Sequence, residues 1–208
     1  MYRNFAARAV GWISFARLAM AAIAMVAFSG CATHYVDGAT KEVLAAQFKK
    51  PAEPGPVQLI FEFQTRGTLN ARVTDLLKTQ VREQVSGSGL FANVDDKPVA
   101  GGALLSVTLN NVPLSDDAFI KGFVTGFTFG LVGSTASDGY VCTVTYLGRG
   151  QAASVTKVAR HAIHTAMGTA AAPGDAVKMD DMRQAAQTMA RQVLSTALND
   201  LSNDATFK

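Results

Sequence analysis

The sequence predicts an α+β fold, in which a mostly antiparallel sheet of about four to five strands carries two amphipathic helices packed on one face. Two observations lead to this prediction. Runs rich in β-branched and aromatic residues alternate with stretches of helical apolar spacing, in the order strand, helix, strand, strand, long insertion, strand, strand, helix. About half of the 208 residues (49%) are hydrophobic, which is ample for one core.

The strand predictions come from short segments in which apolar, β-branched and aromatic residues cluster or alternate with polar ones. Glycine, proline and aspartate residues bound these segments and indicate turns. The predicted strands span residues 57–64, 90–94, 103–112, 140–147 and 154–165.

Two segments carry the period of an amphipathic helix. The first begins at Thr68 or Asn70, either of which can cap a helix by accepting a hydrogen bond from a free backbone N–H, and ends near Ser86. The second spans about residues 179–202. The apolar stripe of the first consists of Leu69, Val73, Leu76, Leu77, Val81 and Val85, and that of the second of Met182, Ala186, Met189, Val193, Ala197 and Leu201.

The N-terminus has the pattern of a cleaved signal peptide over residues 1–30. Residues 1–17 carry three arginines and no acid, residues 18–28 are continuously apolar, and Ser29 and Gly30 are small. The alternative is an uncleaved membrane anchor. Eleven apolar residues rise only about 16 Å as a helix, against roughly 30 Å of hydrocarbon, and this favours the signal peptide.

The tetrapeptide Phe28-Ser29-Gly30-Cys31 resembles the lipobox of bacterial lipoproteins. The resemblance implies that the Cys31 thiol receives a diacylglycerol, that cleavage falls between Gly30 and Cys31, and that the new amino group is acylated. Alanine at position 32 then implies export to the outer membrane, with the domain facing the periplasm. An ordinary secretory signal with a cysteine nearby by chance is the alternative.

Removal of residues 1–30 changes the charge of the chain. The 19 lysines and arginines fall to 16, which equals the 16 aspartates and glutamates. A neutral mature chain lacks the basic surface that nucleic acid binding needs, and nothing in its net charge recruits it to an acidic membrane.

Residues 31–56 are predicted as a lipidated N-terminus and tether, because Pro51, Pro54 and Pro56 favour an extended spacer. Residues 57–208 are predicted as the periplasmic domain. Within it, residues 57–112 loosely resemble the small α/β domains of periplasmic assembly lipoproteins, including transport auxiliary and curli-secretion types, in the helix that leads into SGLFANV.

A glycine-rich apolar insertion at residues 119–135 is the most unusual part of the mature chain. Three interpretations are open: a loop or strand packed on its own domain, a membrane-inserting or self-associating element, and a ligand-binding loop. Its candidate contact residues recur at intervals of four and are Gly122, Phe123, Gly126, Phe127, Gly130 and Leu131.

No motif in the sequence indicates catalysis, a cofactor or a metal. There is no phosphate-binding glycine loop, no nucleophile elbow and no CxxC pair. His161 and His164 would point to opposite faces of their predicted strand and could not share an ion. Cys142 is predicted to be a buried thiol, with a reactive or intermolecular role as the alternative.

These observations favour a non-catalytic interaction or assembly module of the bacterial envelope. Its expected partners are the membrane, through the lipid on Cys31, and an envelope protein or a second copy of the chain. The alternative function is binding of a small apolar ligand or lipid between the sheet and its helices.

Overall fold

The computed structural model describes residues 32–113, 135–168, 170 and 174–207. The strands are β1 Ala32–Val36, β2 Pro56–Thr65, β3 Thr68–Leu69, β4 Asn93–Asp95, β5 Ala103–Pro113, β6 Thr135–Leu147, β7 Val155–Met167 and β8 Val177–Met179. The helices are α1 Ala71–Gly87 and α2 Met182–Ser202, with a short 3-10 helix at Ala45–Gln47.

The described strands form one mixed eight-stranded sheet, so the predicted antiparallel sheet of four to five strands is wrong. The strand order is β3-β2-β5-β6-β7-β1-β8, and β4 pairs with the start of β2. β2 runs parallel to both β4 and β5, whereas the pairs β5–β6, β6–β7, β1–β8 and β2–β3 are antiparallel. The described part of the protein is therefore mostly β, with two α-helices.

The parallel pairing follows from the connection between β2 and β5. α1 carries the chain back along the sheet, which is the crossover that parallel neighbours require. β4 overlaps the strand predicted at residues 90–94. The strands missing from the prediction are short: β3 has two residues, β8 has three and β1 has five. Segments of two or three residues show no measurable alternation of apolar and polar residues.

Residues 32–50 belong to the fold and do not form the free spacer that the sequence predicted. β1 is inserted between β7 and β8, and the side chains of Val36 and Phe48 are buried. Two backbone N–H groups of this segment, those of Val43 and Lys49, donate hydrogen bonds to serine hydroxyls of α2. Its apolar residues supply the burial that holds it in place.

The main core lies between the helices and one face of the sheet. Inward-facing residues of β2 alternate with outward-facing ones, and the apolar faces of both helices meet them. Each helix begins at a side-chain cap: Asn70 accepts from the Val73 N–H, and Asp181 accepts from the Gln184 N–H. Near the C-terminus, Phe207 packs edge-on against Phe91 and Tyr146.

The register defines two ends of the sheet. The end that holds Thr65, Pro113, Thr135 and Met167 is called the lower end below. The opposite end, called the upper end, holds Val57, Ala103, Leu147 and Val155. Within the described ranges, no helix is long and apolar enough to cross a membrane.

Candidate functional site at the lower end of the sheet

β1 starts at the lower end, directly beside the end of β7. The Asp37 N–H donates to the Ala162 carbonyl oxygen over 3.1 Å, and His34 Nδ1 lies 3.2 Å from Thr165 Oγ1. Residue numbers rise along β1 as they fall along β7, so the two strands are antiparallel. Ala32 therefore lies at the same end as Met167.

A chain of three polar side chains ties β1 to the β6–β7 pair. Ser137 Oγ lies 2.7 Å from His164 Nδ1, and His164 Nε2 lies 3.4 Å from Asp37 Oδ2. Ser137 and His164 are register partners on adjacent strands, which explains their short contact. These three residues are called the polar chain below.

The polar chain is removed from solvent at its centre. His164 is 0% exposed and Asp37 is 5% exposed, while Ser137 is half-buried. Buried polar groups at such a position are stable only when they satisfy one another, and here each has a partner. Asp37 Oδ1 also accepts the Ala39 N–H over 2.7 Å.

The electrostatics keep Asp37 ionised. Burial by itself raises the pKa of its carboxyl group, but hydrogen bonds from His164 and from the Ala39 N–H outweigh burial, and the net pKa is lowered. When Asp37 accepts from Nε2–H, Nδ1 is left to accept from the Ser137 hydroxyl. The order hydroxyl, imidazole, carboxylate is also that of a Ser-His-Asp triad.

The His164 ring has no contact with bulk solvent. The polar chain fastens β1, which is only five residues long, to the long β6–β7 pair. Gly38 follows directly, where a Cβ would collide with the Asp175 carbonyl oxygen, so glycine is required for the turn after β1.

His161 makes a separate contact on the other face of β7. The Ala162 N–H donates to His161 Nδ1 over 2.8 Å, so Nε2 carries the proton and donates to Gln192 Oε1 of α2 over 2.7 Å. His161 and His164 therefore lie on opposite faces. Among the residues that the structure describes, no three His, Cys, Asp or Glu side chains are grouped to hold a metal ion.

Sequence reasoning did not find the polar chain. Its members lie far apart in sequence, since Asp37 and His164 are 127 positions apart and Ser137 and His164 are 27 apart. The pairing of β6 with β7 brings Ser137 to His164, and the placement of β1 beside β7 brings Asp37 to His164. No local sequence motif predicts such a contact. The available sequence signal is the Asp37-Gly38 pair, which indicates a turn after a short segment of alternating apolar and polar residues.

The site residues that the sequence predicted lie outside the part of the chain that the structure describes. Gly30 and Cys31 lie outside the described residues, and so do Gly122, Phe123, Gly126, Phe127, Gly130 and Leu131. Cys142 is described: it is buried in the core on β6, where burial raises the pKa of its thiol to about 12. At neutral pH this thiol carries its proton.

A cavity of about 360 Å³ lies at the upper end. Aromatic and aliphatic side chains line much of it, and Arg149 and Glu53 lie at its margin. A second cavity, of about 410 Å³, lies between the two helices and residues 42–48, and its lining mixes apolar residues with glutamate, glutamine and arginine. Neither cavity includes a member of the polar chain.

We predict that Asp37→Ala lowers the free energy of unfolding by about 3 kcal/mol, because it leaves the buried imidazole of His164 without its acceptor. Ser137→Ala should cost only about 1 kcal/mol, the typical value of one hydrogen bond. Urea unfolding measures both, with the exposed Asp75→Ala as a matched carboxylate control. Equal effects of Asp37→Ala and Asp75→Ala would show that the polar chain does not hold β1.

We also predict acid sensitivity from His161. Burial lowers the pKa of this imidazole, and its contacts with Gln192 and Asp37 oppose that only in part. The folded state then binds a proton less readily than the unfolded chain, whose histidine has a pKa of 6.5. The stabilising contribution is complete above that value and is lost as the pH falls below it.

Denaturant unfolding measured between about pH 7 and pH 5 should therefore show stability falling by at most about 1.4 kcal/mol per pH unit. His161→Gln removes the titrating group and should flatten this slope. The lowered pKa of Asp37 acts in a separate pH window, below the ordinary aspartate value of 3.8. A variant that keeps the wild-type slope would contradict the assignment to His161.

Comparisons with known proteins identify no family for this chain. No family model matches it, and no curated protein matches it. Two solved structures of PelC dodecamers from Paraburkholderia phytofirmans, one of them a single-residue variant, are similar to it at 12% sequence identity. Each match covers 82% of this chain and 97% of the PelC chain, with TM-scores of 0.32 and 0.31. A likeness at these TM-scores carries no argument about the function of this chain.

Proposed function

We propose that this protein is a membrane-anchored lipoprotein of the bacterial envelope whose domain is a non-catalytic interaction or assembly module. One observation carries the proposal. Ala32, the residue after the lipobox cysteine, is already the first residue of β1. Cleavage before Cys31 would therefore leave β1 intact, with the acylated residue joined directly to it.

The N-terminal pattern places the anchor in an envelope membrane. Three arginines, an apolar run and the lipobox at residues 28–31 support lipidation, and Ala32 supports delivery to the outer membrane with the domain in the periplasm. Several acyl chains, at about 0.8 kcal/mol per buried methylene, hold a protein on a bilayer durably. A single chain would give only marginal binding.

The non-catalytic assignment rests on the satisfied state of the polar chain. Its hydroxyl, imidazole and carboxylate hydrogen-bond to one another, and the carboxylate also accepts the Ala39 N–H. The lowered pKa of Asp37 has a structural cause in these bonds, so the shift needs no catalytic explanation.

The insertion at residues 119–135 is the proposed contact surface toward an envelope partner or a second copy of the chain. It departs from Pro113 and rejoins the described fold at Thr135, and both residues lie at the lower end. The proposed lipid would also be attached at this end, because Cys31 directly precedes Ala32. The anchor and the contact segment would therefore act from the same end of the molecule.

Binding of a small apolar ligand or lipid is the second candidate function. It is favoured by the cavity of about 360 Å³ at the upper end, whose lining includes Leu90, Phe91, Tyr146 and Phe207. Its volume is at the lower limit of typical small-molecule sites. Such a site would open away from the membrane.

We predict that Cys31→Ala releases the protein from the membrane fraction and abolishes the globomycin sensitivity of its processing. The reason is that no thiol is then available to form the thioether. Fractionation and mass spectrometry of the N-terminal peptide measure both effects. Cys142→Ala is the matched control, since Cys142 is buried, and it should stay on the membrane. An unchanged membrane fraction for Cys31→Ala would contradict the lipoprotein proposal.

For the contact surface, we predict that Phe123→Ser, Phe127→Ser and Leu131→Ser combined abolish crosslinking of the lipoprotein to its partner in intact envelopes. These changes remove the bulky apolar side chains that would be buried at an interface. A matched control carries Ser in place of Leu147 and Val158, which are exposed apolar residues of the sheet. If wild type and variant both remain monomeric and capture no partner, the interaction module is rejected.

A further inference from the structure

We propose that the lower end of the sheet docks directly against the bilayer surface, with Leu69, Met167 and Met182 entering the lipid interface. The proposal rests on the proposed function, because it needs the acylated Cys31. It adds an orientation: the sheet stands on the membrane by its lower end, and the upper end points away from the bilayer.

The first argument is the length of chain between lipid and fold. One residue spans at most about 3.3–3.6 Å, and β1 begins at the residue that follows Cys31. The glyceryl group on the Cys31 thiol sits where the headgroups meet the acyl chains, so the lower end cannot stand off by more than about one residue. A lipoprotein with a long spacer would leave its domain free to tumble.

The second argument is that β1 is firmly held. It pairs with β8 through three register positions and lies beside β7 on its other side. The polar chain fastens its end, since Asp37 contacts His164 and the Asp37 N–H donates to Ala162. The direction of β1 relative to the sheet is therefore fixed, and the anchor is held at the lower end. The apolar side chains exposed at that end would then select the tilt in which it meets the bilayer.

The third argument is the apolar side chains exposed there. Leu69 is 56% exposed, Met167 is 55% exposed and Met182 is 39% exposed. They come from three separate elements: Leu69 ends β3, Met167 ends β7 and Met182 begins α2. β3 pairs with the last residues of β2, and Met179, which precedes α2, pairs with His34 of β1. All three side chains thus lie where those elements reach the lower end.

Exposure alone does not single out these residues. Leu147 is 36% exposed at the upper end, and Val158 is 41% exposed on the sheet. Isolated exposed apolar residues are normal on soluble proteins. What distinguishes Leu69, Met167 and Met182 is that each lies at the lower end of the sheet, where β1 begins. Leu147 and Val158 lie toward the upper end, which makes them matched controls.

The charges at the lower end indicate which kind of lipid surface this end would contact. Exposed basic and acidic residues are mixed there: Arg66, Arg72 and Arg183 stand near Asp75, Asp180 and Asp181. This balance gives no net attraction to anionic lipid. The chemistry fits apolar insertion to interfacial depth, roughly 5–10 Å, into a zwitterionic bilayer.

Depth-dependent quenching tests the proposal on the full lipidated protein. In a Cys142→Ala background, Leu69→Cys, Met167→Cys and Met182→Cys each introduce one free thiol, and so do the controls Leu147→Cys and Val158→Cys. Each thiol is labelled with an environment-sensitive fluorophore, and the protein is reconstituted into phosphatidylcholine vesicles that contain brominated lipid. The mass of the N-terminal peptide is measured first, to establish acylation of Cys31.

We expect at least about twofold stronger quenching, with a blue shift, at the three lower-end positions than at the two controls, because only those labels reach interfacial depth. Replacing phosphatidylcholine with an anionic mixture should leave this pattern unchanged. Uniform quenching on an acylated protein would overturn the docking surface and leave the lipoprotein proposal standing. An N-terminal peptide without acyl chains would overturn both.

Discussion

The contact between Asp37 and His164 is the constraint on which the lower end depends. Without it, the five-residue strand β1 would be held by backbone pairing, by the burial of Val36 and by the contact of His34 with Thr165. The carboxylate is stabilised in its charged form by the imidazole and by the Ala39 N–H, and the imidazole in turn reaches Ser137. A mispaired strand would leave the buried carboxylate of Asp37 without these hydrogen bonds, and this disfavours mispairing.

A second buried histidine performs a different task. His161 links β7 to α2 through Gln192, whereas His164 links β7 to β1 through Asp37. The two rings lie three positions apart on β7 and point to opposite faces of the sheet. β7 is therefore hydrogen-bonded to α2 on one face and to Asp37 on the other. β7 is consequently the element on which the helix layer and the first strand both depend.

The parts of the fold that were predictable from sequence are those with a long local pattern. α1 and α2 appear at Ala71–Gly87 and Met182–Ser202, close to the predicted ranges, because their apolar stripes repeat over several turns. The parallel pairing, the short strands and the role of residues 32–50 were not predictable, because each depends on partners far along the chain. The same holds for the polar chain, which is complete only after β1 has paired with β7.

That pairing has a consequence for how the chain reaches its native state. β1 pairs with β8 and contacts β7, and residues 43–49 hydrogen-bond to α2, so the first segment of the described fold finds its partners only in the last third of the chain. Phe207 completes the aromatic cluster with Phe91 and Tyr146 almost at the C-terminus. Contacts of such long sequence separation make folding slow. A chain emerging from the ribosome therefore cannot complete this sheet until nearly all of it has been synthesised.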